Sequence, residues 1–76
     1  MSETRYFEFV DEKSSKFWEV TFSGQDVSVR FGRIGTNGQM KTKSLPNGEA
    51  AHIHAENLVN EKRKKGYVEK AMSRIY

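Results

Sequence analysis

The sequence contains no cysteine, a single proline and no long hydrophobic run, and each absence narrows the choice of fold. Without cysteine, a disulfide scaffold, a thiol nucleophile and a thiolate-ligated zinc or iron–sulfur site are excluded. No apolar run exceeds two residues. A membrane-spanning helix needs about 20 apolar residues and a secretory signal about 7–15. We therefore expect a cytoplasmic chain with no membrane contact.

The length and composition fit one small folded unit. Seventy-six residues with 36% hydrophobic side chains can bury a single core, whereas two domains would each be too small to do so. The aromatic residues are spread along the chain and the charged residues are mixed in sign, which is not typical of a disordered sequence. We expect a single domain over residues 1–76, with a monomer as the default state.

Positive charge is concentrated in the middle of the chain. The net charge is +3, but residues 27–48 contain four basic residues and no acidic one. The preceding residues 1–26 carry a net −3 and the following residues 49–76 a net +2. A local cationic excess attracts polyanions such as nucleic acids, although a solvated lysine-rich surface gives the same pattern.

Alternating apolar and polar residues predict four strands in the first 44 residues. Separated by short polar or glycine-containing turns, these strands cover residues 5–10, 16–22, 27–33 and 39–44. Asn37-Gly38 favours a type I′ hairpin turn before the last of them, in which both turn residues have positive φ. Short turns between successive strands indicate an antiparallel meander.

One long helix is predicted after the fourth strand. Asn47 can cap its first turn, and Gly66 is a natural stop. Apolar side chains recur on one side at helical spacing, namely Ala51, Ala55, Leu58, Val59 and the stem of Lys62. The basic residues 62–65 fill the last turn, where cations complement the helix dipole and aid solubility.

The complete pattern predicts an α+β fold. We expect a four-stranded antiparallel β-sheet meander with one long helix packed on one face. Met72, Ile75 and Tyr76 indicate that the tail also packs, as a short final helix or strand.

The sequence shows no arrangement typical of a catalytic or metal site. His52 and His54 lie two residues apart, which on a helix turns them about 200° from each other and prevents a shared metal ion. The spacing supports no Ser-His-acid arrangement, and so small a sheet leaves little room for a closed pocket. We therefore expect that the chain is not an enzyme and has no cofactor or metal ligand.

Glycine recurs every three residues at Gly32, Gly35 and Gly38. This spacing matches neither of the common glycine-rich nucleotide-binding motifs, and the segment leads into a strand instead of a helix. The glycines can serve the bend of the hairpin. They can also let a ligand approach the backbone, with Arg33 and loop N–H groups binding phosphate. Residue types alone leave both interpretations open.

Residues 31–39, with the sequence FGRIGTNGQ, resemble the signature of the WGR domain, a family named for its Trp-Gly-Arg motif. Other blocks agree in the same order, namely residues 16–19, Val29, residues 41–45, Ala51, Ala55, Leu58, residues 61–62 and residues 65–67. The resemblance covers residues 4–68, which is nearly the whole chain.

The resemblance implies a DNA-binding module. WGR domains of poly(ADP-ribose) polymerases bind DNA near strand breaks and relay that binding to a catalytic domain. Their motif Trp packs against the DNA end, and their motif Arg contacts DNA or neighbouring domains. In this chain Phe31 takes the Trp position, with a flat apolar face but no indole N–H, and Arg33 takes the Arg position. No residue set for NAD chemistry accompanies the motif, so only the binding function carries over.

Together these features predict a non-enzymatic nucleic-acid-binding module that contacts the phosphates of DNA, near ends or breaks. The expected nucleic-acid-binding residues are Arg30, Phe31, Arg33, Gln39, Lys41 and Lys43. Phosphate contacts alone do not separate DNA from RNA. The alternative is a protein–protein interaction module that docks a partner domain through the same surface.

The individual residues also have structural alternatives. Strand parity puts Phe31 on the same face as Val29, in the core. Arg33 can pair with a nearby carboxylate instead of a phosphate. Lys41 and Lys43 can be solvated surface residues.

Overall fold

A computed structural model describes residues 2–70 as an open five-stranded antiparallel sheet with one helix. Its elements are β1 (Ser2–Val10), β2 (Ser15–Ser23), β3 (Asp26–Arg33), β4 (Gln39–Ser44), α1 (Gly48–Lys64) and β5 (Val68–Lys70). Across the sheet the strands follow the order β4-β3-β2-β1-β5. The α+β class and the meander of the first four strands are confirmed. The tail residues 72–76 lie outside the described residues.

The predicted number of strands was wrong, because β5 pairs with the outer edge of β1. The chain reverses direction at the end of α1, where the N–H groups of Gly66 and Tyr67 donate to the carbonyls of Arg63 and Lys62. Gly66 has a φ of +102°, as this type of helix end requires. The reversal brings residues 68–70 to β1. Three exposed residues are too few to show the alternation on which a strand prediction depends.

The core lies between α1 and one face of the sheet. Its buried residues are Phe7, Trp18, Val20, Val27, Ala51, Ala55 and Val59. Asn47 Oδ1 accepts a hydrogen bond of 2.8 Å from the N–H of Ala50, which confirms the predicted helix start. The helix packs mainly over β2 and β3. Every residue of β4 is exposed, so this strand extends the sheet beyond the cover of the helix.

The loop of residues 34–38 differs from the predicted type I′ turn. Among the described residues only glycines have positive φ, so Asn37 does not adopt the conformation that this turn requires. The loop instead folds against β3, where a Cβ on Gly32 would lie 2.8 Å from the Cα of Gly38. Gly38 itself has a φ of +71°. The close approach supports a structural role for these two glycines.

Candidate nucleic-acid interface

The strand register divides the six expected site residues between the two faces of the sheet. Successive side chains of a strand point to opposite faces, and directly paired residues share a face. The face that carries α1 also carries Phe31, Arg33, Gln39, Lys41 and Lys43. Lys41 Nζ lies 5.9 Å from the centroid of the Phe31 ring, in agreement with this placement. The structure therefore brings five of the six together on the face that α1 covers. Arg30 lies on the opposite face, which we call the open face.

Arg30 is held by residues of the open face. Its Nε donates to Glu19 Oε1 at 3.0 Å, and its Nη1 donates to the carbonyl of Asn37 at 3.0 Å. The guanidinium lies 4.8 Å from the centroid of the Phe17 ring, on which the Tyr6 ring also stacks. Phe17 is consequently only 3% exposed, although within residues 2–70 the helix lies on the other face of the sheet. Arg30 thus anchors the β3–β4 loop, a structural role that differs from the predicted role in nucleic-acid binding.

Phe31 is half-buried and packs against the core, so its structural alternative is correct in part. It lies beside Trp18, its directly paired residue on β2. Both residues line an open cavity of about 210 Å³ near the end of α1, together with Lys16, Lys62 and Tyr67. The motif aromatic is therefore a core residue with one accessible edge.

Lys62 places its ammonium group between two aromatic rings of this cavity. The Nζ atom lies 5.6 Å from the centroid of the Trp18 ring and 5.3 Å from that of Tyr67. Burial lowers the pKa of Lys62, and the positive charge of Lys65 lowers it further. Lys16 acts in the same direction with a weaker effect. Three ammonium groups therefore converge at this end of the helix.

Lys16, Lys62 and Lys65 are not among the site residues predicted from the sequence. All three line a second cavity of about 280 Å³, which adjoins the first and shares Tyr67 with it. Lys62 and Lys65 are three residues apart, a spacing that puts them on one side of a helix and was available as a signal. Lys16 joins them only through the strand register, in which it is paired with Arg33.

A second group of cations borders the gap between α1 and β4. Lys41 and Lys43 line an open groove of about 370 Å³, opposite His54 and Leu58 of the helix. Val29 contributes to its apolar floor. Because Lys41 also lies over Phe31, the groove and the cavity near the helix end belong to one continuous surface.

The basic side chains of residues 2–70 differ in whether they have a carboxylate partner. Within residues 2–70 the ion pairs are Arg5–Glu56, Arg5–Glu69, Arg63–Glu69 and Arg30–Glu19. In this part of the chain no carboxylate pairs with Lys16, Arg33, Lys41, Lys43, Lys62 or Lys65, which lie on the helix side of the sheet, whereas Arg5 on the same side pairs with Glu56 and Glu69. We refer to these six residues as the cationic face. The alternative in which Arg33 pairs with a carboxylate finds no support among the described residues.

The two histidines occupy different surroundings. His52 packs edge-on against Phe22, with ring centroids 5.3 Å apart, whereas His54 lines the groove beside β4. Residues 2–70 contain no group of three His, Asp or Glu side chains that could hold a metal ion. In the same range, no helix is both long and apolar enough to cross a membrane.

Comparison with known proteins agrees with the motif and the geometry. The sequence model of the WGR domain matches residues 3–74. The chain belongs to the WGR domain family. Two curated proteins of Escherichia coli strain K12 are similar to it. The uncharacterized protein YfeS is 40% identical over 63 residues, and protein YehF is 43% identical over 67 residues. These matches span 83% and 88% of this chain.

The same WGR fold occurs in a solved crystal structure of a Bacteroides fragilis protein. The two share a TM-score of 0.88 and 44% sequence identity over 90% of this chain. The chain spans only 19% of that structure, and 26% and 24% of YfeS and YehF, respectively. In these relatives the WGR domain is therefore one part of a longer protein.

Proposed function

We propose that this WGR chain is a non-enzymatic DNA-binding module that contacts phosphates near strand ends or breaks. The observation that carries this proposal is the cationic face, whose six basic side chains lie on one side of the sheet without carboxylate partners in the described residues. Cations without intramolecular partners can neutralise phosphates and release their counterions. Arg30 is left out of the proposed interface, because its guanidinium is held by Glu19 and Asn37.

The aromatic residues among these cations favour an end over continuous duplex. Phe31 and Tyr67 expose parts of their rings beside Lys16, Lys41 and Lys62. Phosphates are accessible everywhere along DNA, but the flat faces of a terminal nucleotide are accessible only where stacking stops. An aromatic group inside a cationic surface therefore gains contact area at an end or a nick.

A titration with DNA of different topology tests this function. Blunt-ended, nicked and closed-circular DNA are compared by fluorescence anisotropy or gel shift at several salt concentrations. Neutralisation of about four to six phosphates gives a slope of log K against log[salt] of roughly −4 to −5. We expect this slope together with tighter binding to nicked or blunt DNA than to closed circles. Binding that is absent at low salt or independent of salt would contradict the proposal.

Docking of a partner protein through the same surface is the second candidate. It is favoured by the apolar floor of the groove between α1 and β4, where Val29 and Leu58 are accessible between cations. In its relatives the domain is joined to a much longer chain, which offers a partner in the same molecule. A partner that binds mainly through apolar contact would tolerate high salt, whereas DNA would dissociate.

A further inference from the structure

The cavity of about 210 Å³ at the end of α1 combines aromatic walls with a cationic rim. Phe31 of β3 and Tyr67 of the turn after the helix line it with partly exposed rings, and Trp18 of β2 borders it at only 3% exposure. We call this space the aromatic cavity. Sites for drug-sized ligands are larger, at roughly 300–1,000 Å³. The aromatic cavity therefore suits one flat ring system of the size of a nucleobase.

The adjoining cavity supplies the place for a phosphate. It shares Lys16, Lys62 and Tyr67 with the aromatic cavity and adds Lys65. Within residues 2–70 none of the three ammonium groups is paired with a carboxylate. A nucleotide has the matching arrangement, since its base is flat and apolar on both faces and its anionic phosphate is attached through the sugar. A nucleotide can therefore place its base in the aromatic cavity and its phosphate in the adjoining cavity.

A base inside a duplex cannot enter this site. Both of its faces are covered by neighbouring base pairs and its edge is hydrogen-bonded, so entry requires that the base leave the stack. An unpaired base at a frayed or overhanging end has already lost those contacts. Stacking on aromatic side chains then contributes about 1–3 kcal/mol per base with little dependence on base identity.

We propose that the aromatic cavity takes one unpaired nucleobase while Lys16, Lys62 and Lys65 bind its phosphate. The chain consequently prefers an overhanging or frayed strand end to a blunt one. The inference rests on the proposed DNA-binding function and specifies which kind of end that function recognises.

The test uses DNA hairpins with one open end and a fluorophore in the loop. The open end is blunt, carries one unpaired adenosine, or carries one abasic residue with the same number of phosphates. We expect the adenosine end to bind at least about fivefold more tightly than the abasic end, which corresponds to the lower limit of stacking on one aromatic group. Trp18 is the only tryptophan of the chain and lines the cavity, so its fluorescence should change with the adenosine end and much less with the abasic end.

The variant Phe31→Leu separates stacking from phosphate binding. Leucine keeps an apolar side chain against the core but has no flat ring, and Trp18 remains as a fluorescent probe. We expect the adenosine and abasic ends to bind this variant within about twofold of each other. The quantity compared is the ratio of the two affinities within each protein, because Phe31 itself belongs to the proposed interface. Thermal unfolding of the variant checks that the fold is retained.

Two results would overturn the inference. Equal affinity of the wild type for adenosine and abasic ends excludes a base in the cavity, and so does a preference that survives Phe31→Leu. In either case salt-dependent binding to all three hairpins would leave the proposed function standing. Failure of all three hairpins to bind at low salt would reject the proposed function and this inference with it.

Discussion

On the open face of the sheet Arg30 donates to Glu19 and to the carbonyl of Asn37, whereas on the helix side Lys41 stands over Phe31 with no described carboxylate partner. The two residues belong to directly adjacent strands, and Arg30 is next to Phe31 in sequence. Their charges nevertheless serve different purposes, since one closes a loop and the other faces solvent. The comparison shows that burial and partners, and not charge alone, separate structural cations from those available to a ligand.

The loop that Arg30 anchors is sterically demanding, and Gly38→Ala should have the largest effect of the predicted variants. A methyl group there would overlap the Phe31 carbonyl and lie 2.7 Å from the Phe17 ring, at a φ of +71°. Strain and overpacking together should lower the free energy of unfolding by about 2–5 kcal/mol, which is as much as a domain of this size has. Urea denaturation measures the loss.

Gly35→Ala is the matched control for this variant. Gly35 also has positive φ, at +96°, but a methyl group would meet nothing within 4 Å. We expect a loss of only about 1 kcal/mol, from the backbone conformation alone. Equal destabilisation by the two variants would show that the loop does not pack against β3 as described.

Substitution of Arg30 and Lys41 by methionine compares the two faces directly. Arg30→Met removes the bonds to Glu19 and Asn37 and should lower stability by about 1–2 kcal/mol. Lys41→Met should leave stability within about 0.5 kcal/mol. For DNA binding the order reverses, because only Lys41→Met should reduce the salt slope, by about 0.9. A reduced salt slope of DNA binding by folded Arg30→Met would show that Arg30 contacts DNA after all.

Lys62→Met tests whether a cation of the cationic face serves DNA binding at the expense of stability. The pKa of Lys62 is lowered by burial and by Lys65, which means that the unfolded state binds the proton more tightly than the folded state does. At neutral pH this shift opposes folding, and the opposition disappears as pH rises through the lowered pKa towards 10.5. We expect an unchanged or higher Tm and weaker DNA binding. A lower Tm would indicate a structural role for this ammonium group.

The smallest predicted effect concerns the ion pairs at the opposite edge of the sheet. Arg5 donates to both carboxylate oxygens of Glu69 at 2.9 and 2.7 Å and thereby lowers the pKa of Glu69, and Arg63 adds to this effect. Stability from the lowered pKa is complete above the usual carboxyl value of 4.5 and is lost as pH falls through the lowered value. Because these groups are partly exposed, its magnitude is below about 1 kcal/mol.

Glu69→Gln should therefore lower the urea midpoint at neutral pH and approach the wild type in acid, as pH falls through the lowered pKa of Glu69. DNA binding at neutral pH should be unaffected, since Glu69 lies away from the cationic face. A difference from the wild type that is independent of pH would show that the loss does not come from the ionised carboxylate.

Local patterns were sufficient to predict most of the fold. Alternation identified the first four strands, and Asn47 and Gly66 marked the start and end of α1. The loop of residues 34–38 was not predictable in this way, because its conformation depends on Arg30 and Gly32, which precede it in β3. Asn-Gly favours a two-residue turn only when no such contact competes with it.

The candidate site required the register of the sheet. Parity along β3 already separates Arg30 from Phe31, so this division could have been applied to the predicted interface. Lys16 is far in sequence from Lys62 and meets it only because β2 lies under the end of α1. The periodicity of a single strand or helix cannot predict such a contact between distant residues.

The most direct test of the account is the salt dependence of DNA binding by Lys41→Glu/Lys43→Glu beside its charge-matched control, Lys64→Glu/Lys70→Glu. Both double variants change the net charge equally, but Lys64 and Lys70 lie outside the cationic face. We expect the first variant to lose binding to nicked DNA by at least about tenfold at low salt and the control to keep most of it. Equal losses in the two variants would contradict a defined cationic face and leave only a general effect of net charge.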